Sequence, residues 1–221
     1  MNGVTPRTLL GRSAVAALIL VGLIGCEYAV GRLIVAPGSS IAAFDETVRI
    51  SVQVADGLVH TTGSAVTQLG NAFVLIPFAV FVGWLSRDER TWRPAMFGVV
   101  AVAGAELITQ TVKRLVQRER PVGSDAYGWA FPSGHVTVAA AVSVATAALL
   151  ASRVQSPVAR TALWFAAALV VVAVGWSRIA LGAHWFSDVV TAAVVTTVWV
   201  GVSYWVVDPV RPIPEEAANA R

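Results

Sequence analysis

Residues 113–135 read KRLVQRERPVGSDAYGWAFPSGH and stand at the junction of two apolar runs, 95–113 and 134–151. The stretch opens on Lys113, carries Arg120-Pro121, and closes on Pro132-Ser133-Gly134-His135. It holds the only lysine of the chain. Apolar runs near the length of a bilayer span, joined by a cation-rich loop, predict two antiparallel membrane helices with their polar ends on one face. A third cluster, Ser177-Arg178-x5-His184-x3-Asp188, lies at the edge of another such run.

Composition extends the same reading. Of 221 residues, 56% are hydrophobic and 13% charged, with a mean hydropathy of +0.70. Soluble domains carry about 25% charged residues, so a soluble fold is disfavoured. Six spans are predicted, at roughly 13–35, 69–86, 95–113, 134–151, 160–177 and 188–207. The fold class is all-α, an integral membrane bundle of six transmembrane helices forming one domain over 1–207, followed by a polar tail, 208–221. The connection 36–68 is expected to form a short amphipathic helix at the membrane surface. Pro77 lies inside the second span as a tolerated kink. Gly98, Ala101, Gly104 and Ala105 suit close helix contact in the third. The single Cys26 excludes an intrachain disulfide and a cysteine-built metal site. The net charge of +3 is small and its residues sit in short loops, which argues against a nucleic-acid surface.

Counting Lys and Arg along alternating loops puts nine on one side and seven on the other. Three of the seven belong to the polar clusters, so the bias that reports topology is nine against four. Both termini are therefore expected in the cytoplasm and all three clusters on the extracytoplasmic face. Near the N-terminus, Arg7 and Arg12 precede an apolar stretch, and Leu23-Ile24-Gly25-Cys26 resembles a lipoprotein cleavage box. Residues 1–25 thus read either as part of a first span or as a cleaved leader; the face bearing the clusters is the same in both.

The clusters carry phosphoryl chemistry. His184 and Asp188 are four apart and share a helix face, so the carboxylate can take the proton-bearing ring nitrogen and leave the other free to attack phosphorus. Taken alone, the pair is a common one and favours a structural contact. His135 follows Ser133 and Gly134 at a predicted helix start, where free backbone N–H groups favour phosphate oxygens. Ser133 adds a hydroxyl, Gly134 permits close approach, and His135 suits a general acid. The other reading is a Ser N-cap beside an incidental His. Lys113, Arg120 and Arg178 suit a clamp on non-bridging oxygens, or else snorkel to the interface.

In their order, spacing and common face, Lys113, Arg120 and Pro121, then Pro132, Ser133, Gly134 and His135, then Ser177, Arg178, His184 and Asp188, resemble the signature of the type-2 phosphatidic acid phosphatases. That family shares its core with acid phosphatases and vanadium haloperoxidases. The motifs cover about 110–190. The resemblance implies a phosphatase that needs neither metal nor cofactor. His184 would form a phosphohistidine, His135 would protonate the leaving group, and Asp188 would orient His184. Lys113, Arg120, Ser133, Gly134 and Arg178 would hold the phosphoryl group. The implied partners are a bilayer and a lipid phosphate: phosphatidic acid, phosphatidylglycerol phosphate or a polyprenyl pyrophosphate such as undecaprenyl pyrophosphate. No obligate protein partner is evident. The implied location is a bacterial cytoplasmic membrane. Alternatives are a lipid phosphotransferase, a non-catalytic lipid-binding or transport protein, and a haloperoxidase.

Remaining polar and aromatic residues receive weaker readings. Glu106 is assigned a structural hydrogen bond. Tyr127, Trp129, Phe131, Trp176, Trp185 and Phe186 are read as interfacial aromatics, some of which would guide a lipid chain. Asp125 and Arg118 are placed in a solvated loop, and His60, Ser124 and Ser187 are given no role.

Overall fold

The computed structural model describes residues 6–52 and 57–210. Its helices are α1 (Pro6–Ile34), α2 (Ser40–Val52), α3 (Gly57–Thr67), α4 (Leu75–Asp88), α5 (Arg93–Val116), α6 (Gly134–Ala151), α7 (Pro157–Ala180) and α8 (Phe186–Val207). Two 3-10 turns, Gln68–Gly70 and Ala72–Val74, join α3 to α4. Five helices, α1 and α5 to α8, are long and apolar enough to cross a membrane, and the pair α3 and α4, bent by 46° at their junction, makes a sixth where the two count as one broken span rather than a re-entrant loop. Their outward faces expose Leu18, Val80, Val99, Phe165, Val172 and Val194. Such a belt is unfavourable in water and matched to lipid. The chain is a multi-pass membrane protein.

Three expectations are corrected. The second span does not run unbroken over 69–86. Asn71 is extended (φ −80°, ψ 152°) and separates the two turns, so the crossing bends there. Pro77 is consequently not a mid-helix kink; it lies in the first turn of α4, where its missing N–H costs no intrahelical bond. The connection 36–68 forms two helices rather than one, with α2 packed on α7 and α8 and α3 packed on α7. The tail beyond residue 210, with Glu215 and Glu216, and Asp56 lie outside the described residues. Cys26 is an exposed residue within the unbroken α1.

α6 is central, in contact with α5, α7 and α8. It is apolar all round, as a helix surrounded by others must be. One core layer joins Phe97, Ile108, Val112, Phe131, Leu149 and Trp199. A smaller one, Val136, Ala139, Val174, Ile179, Val189 and Ala192, links α6, α7 and α8. The small residues of α5 act as expected. A Cβ on Gly104 would come within 2.3 Å of the Trp199 indole, and one on Gly98 within 3.3 Å of Phe78 and Val82. Their absence lets α8 and α4 lie close to α5. At one end of the bundle, arginines tie the helices together: Arg12 donates to the Trp205 carbonyl, Arg93 to that of Asp208, and Arg153 pairs with Glu89. The three clusters gather at the other end.

Candidate active site

Four helix ends converge here: the C-termini of α5 and α7 and the N-termini of α6 and α8. Alternating chain direction brings them to one side of the bundle, and local geometry does the rest. Gln117 enters the left-handed region (φ 54°) and ends α5, so the chain turns back over the bundle. The N–H of Ala130 then donates to the Arg118 carbonyl at 2.8 Å and closes the α5–α6 loop across the helix ends. After α7, Gly182 (φ 63°) reverses the chain, and the N–H groups of Ala183 and His184 both donate to the Arg178 carbonyl, at 3.0 and 3.1 Å. That turn is the physical reason for the Arg178-x5-His184 spacing: it folds His184 back beside the end of its own helix.

His184 is buried, with 2% of its surface exposed. Its Nδ1 lies 3.3 Å from Oδ2 of Asp188, and its Nε2 lies 3.1 Å from Nη1 of Arg120. Arginine is always a donor, so Nε2 must be the acceptor and the ring proton sits on Nδ1. The lone pair of Nε2 thus faces a guanidinium. Burial pushes the His184 pKa down to about 4, with Arg120 and Lys113 adding to the effect and Asp188 opposing it. The ring is neutral at neutral pH. Asp188 also accepts from the Trp185 N–H at 3.0 Å, capping the start of α8 with the carboxylate that orients the histidine.

The cations surround this pair. Arg120 donates to the carbonyls of Ala183 (2.6 Å), Gly128 (2.9 Å) and Tyr127 (2.9 Å). Burial lowers its pKa, although a guanidinium stays charged. Lys113 donates to the Trp129 carbonyl at 2.8 Å, and Arg178 to the Thr67 hydroxyl at 2.8 Å. Among the described residues, no carboxylate pairs with Lys113, Arg120 or Arg178. Of the three buried side-chain polar atoms without a partner among the described residues, two belong to these clusters, Nε of Arg178 and Oγ of Ser133; the third is Oε2 of Glu27. Cations with no carboxylate in direct contact, beside an unpaired donor and hydroxyl, suit an anion with several oxygens.

Ser133 does not cap α6 through its side chain, contrary to the N-cap reading; its N–H instead donates to the Asp188 carbonyl at 3.1 Å, joining the starts of α6 and α8. His135 is half-buried in the first turn of α6. Its carbonyl would lie 2.5 Å from a Cβ on Gly70, so the bend before α4 is seated directly against the His135 backbone. A Cβ on Gly134 would meet nothing within 4 Å, leaving its backbone open to approach. Ser177 is buried and donates to the Val174 carbonyl at 2.7 Å, which makes it a packing residue of α7.

Several weaker readings change. Arg118 is not in a solvated loop: it is 7% exposed and donates to Asp188 Oδ1 and Asp45 Oδ2, both at 2.6 Å. Ser187, given no role, bonds Asp45 and Arg118. Phe131 is fully buried in the main core rather than interfacial. Trp185 donates to the Glu119 carbonyl at 2.9 Å and lies under the Arg118 guanidinium. Glu106 takes a hydrogen bond from Gln110 at 2.7 Å, as expected. Asp125, Tyr127 and Trp129 are exposed on the α5–α6 loop.

No curated protein sequence matches the chain significantly. The fold matches the crystal structure of a transmembrane PAP2-type phosphatidylglycerolphosphate phosphatase from Bacillus subtilis, with a TM-score of 0.75 at 20% identity over 88% of this chain and 98% of that one. It also matches Aquifex aeolicus LpxE, with a TM-score of 0.57 at 18% identity over 72% of this chain and 93% of that one. The sequence profile of the PAP2 superfamily matches residues 94–212, which span α5 to α8 and every side chain of the three clusters. With more than half of its length under that profile and the matching helical fold around it, the chain belongs to the PAP2 superfamily.

Proposed function

We propose that this protein is a metal-independent lipid phosphatase whose nucleophile is His184. The observation that carries the reading is the divided imidazole: Nδ1 is held by Asp188, while the lone pair of Nε2 faces Arg120 among unpaired cations. In the proposed reaction, the phosphoryl group approaches Nε2 and Arg120 moves to its oxygens, joined by Lys113, Arg178, the Ser133 hydroxyl and the open backbone of Gly134. The Nε2–P bond forms as the P–O bond to the leaving group breaks. His135 gives that oxygen its proton, and Asp188 stabilises the positive ring. Water then attacks the phosphohistidine, losing a proton to His135, and inorganic phosphate leaves. Residues 1–207 would act as one catalytic unit.

Two features support a lipid substrate. An apolar groove of about 420 Å³ runs between α4, α6 and α7, from Leu69 beside the His135 turn along Val142 and Thr146 to Leu150. A more polar cavity of about 320 Å³ opens at Arg120, Glu119 and Trp129. A tail in the first and a headgroup in the second would flank the phosphate. The fold neighbours named for phosphatidylglycerolphosphate phosphatase activity and as LpxE add to the support. The substrate class is a lipid phosphomonoester or pyrophosphate: phosphatidic acid, phosphatidylglycerol phosphate or undecaprenyl pyrophosphate.

The test is phosphate release by purified protein in detergent, across that panel, with excess chelator and no added acceptor. Release at an unchanged rate in chelator is expected, since among the described residues no group of three His, Cys, Asp or Glu could hold an ion. Loss of activity restored by a divalent cation would overturn metal independence, and release only on adding a lipid acceptor would favour the phosphotransferase.

The site is proposed to face outward from a bacterial cytoplasmic membrane, with both termini inside, on the arginine and lysine bias of the loops. In a Cys26→Ser background, Asp125→Cys should react with an impermeant thiol reagent on intact cells and Arg90→Cys should not. The reverse pattern would invert the orientation.

A further inference from the structure

We propose that Asp45 of α2 and Arg118 are positioning residues that fix the Asp188 carboxylate for His184, an inference resting on the functional reading above. Neither residue belongs to the three clusters. Asp45 is fully buried, and each of its oxygens is engaged: Oδ1 accepts from the Ser187 N–H at 2.8 Å, and Oδ2 from Arg118 Nη2 at 2.6 Å and the Ser187 hydroxyl at 2.5 Å. Arg118 Nη1 donates to Asp188 Oδ1 at 2.6 Å and to the Ser187 hydroxyl at 2.8 Å. Its plane is held over the Trp185 ring at 5.2 Å, and that ring is fixed in turn by its bond to Glu119.

The division of labour on Asp188 gives this arrangement its meaning. Arg118 takes Oδ1, so Oδ2 is turned to His184 Nδ1 and the Trp185 N–H. Without Arg118 the carboxylate is held through Oδ2 alone and can turn about its last bond, so the histidine's acceptor is less firmly fixed. Asp45 holds the other arm of the guanidinium and so sets where the first arm points. Buried charges are costly unless they are paired and hydrogen-bonded, and here all four carboxylate oxygens and both terminal guanidinium nitrogens are engaged. A helix outside the family profile thereby reaches the catalytic dyad.

The alternative is that the same bonds only fasten α2 to the bundle. A double-mutant cycle separates the two. Full-length Asp45→Asn and Arg118→Gln are each made in the wild-type and the Asp188→Asn backgrounds, and turnover of radiolabelled lipid phosphate is measured in detergent. In the wild-type background kcat should fall roughly 10- to 100-fold, the range seen when an orienting partner is removed, with KM within about twofold of wild type. In the Asp188→Asn background neither substitution should cost anything further. Should Arg118→Gln fail to fold, Asp45→Asn carries the same cycle, since it keeps the side-chain shape while removing the charge and one of the two acceptor oxygens. Additive losses, a rise in KM without a fall in kcat, or full activity of both variants would overturn the inference. Absence of phosphate release by wild type would instead overturn the functional reading.

Discussion

Replacing His184 by alanine is expected to bring phosphate release down to background, a loss of roughly 10⁵-fold or more, because the atom proposed to bond to phosphorus is gone. The cations would remain and could still bind the substrate, so the loss should fall on kcat, with KM little changed. The buried ring also makes a prediction about pH. Its pKa drops from 6.5 to about 4 on folding, chiefly through burial. Between those values the unfolded chain holds the proton and the folded one does not, so acidification favours unfolding across that window. The contribution to stability is complete above about pH 6.5 and is lost as pH falls toward 4. Thermal unfolding in detergent at pH 7 and pH 5 should therefore show a larger acid-induced drop in Tm for wild type than for His184→Ala. A variant retaining more than about 1% of wild-type turnover would remove His184 as nucleophile.

The parts of this molecule that could be read in the sequence are those whose signal is local. Four of the spans, those that became α5 to α8, are carried by apolar runs bounded by charge or proline, and they need no knowledge of packing. His184 and Asp188 meet as their spacing suggests, but not on one helix face: His184 precedes α8 and Asp188 lies in its first turn, so the contact is made across the helix start. What the sequence conceals depends on distant contact. Asp45 and Arg118 are 73 residues apart, and nothing near either one predicts burial. Read alone, Asp45 is one acid in an amphipathic segment and Arg118 one base in a loop. Phe131 misled for the same reason: its neighbours Tyr127 and Trp129 are exposed, but a Cβ on Gly31 would lie only 2.9 Å from its ring, which shows how closely α1 covers it. The break at Asn71 lies within an otherwise apolar run, and the cause visible in the fold is tertiary: Gly70 must pass against the backbone of His135. The unread features thus lie where α1, α2 and α3 meet the four helices that bear the clusters.

Asp188→Asn is expected to lower kcat by roughly 10³- to 10⁴-fold while leaving the bundle intact, and the hydrogen bonds explain why so conservative a change should cost so much. Both oxygens of Asp188 are acceptors: Oδ1 serves Arg118, and Oδ2 serves His184 Nδ1 and the Trp185 N–H. An asparagine has one oxygen and one amide nitrogen to put in those places. Arg118 and the Trp185 N–H are obligatory donors, so the amide NH₂ meets a donor whichever way it is turned. If the oxygen goes to Arg118, the NH₂ faces His184, which can accept from it only by moving its own proton from Nδ1 to Nε2. The nitrogen proposed to attack is then the protonated one, and the ring has the wrong tautomer. If the oxygen goes to His184, the tautomer survives, but the NH₂ opposes Arg118, and the charge that would stabilise the ring after attack is absent in either case. Binding of inorganic phosphate as a competitive inhibitor should change little, because Lys113, Arg120 and Arg178 are untouched. Turnover within about tenfold of wild type, with unaltered phosphate inhibition, would mean that Nε2 does not depend on the carboxylate, and the orienting role would have to be abandoned.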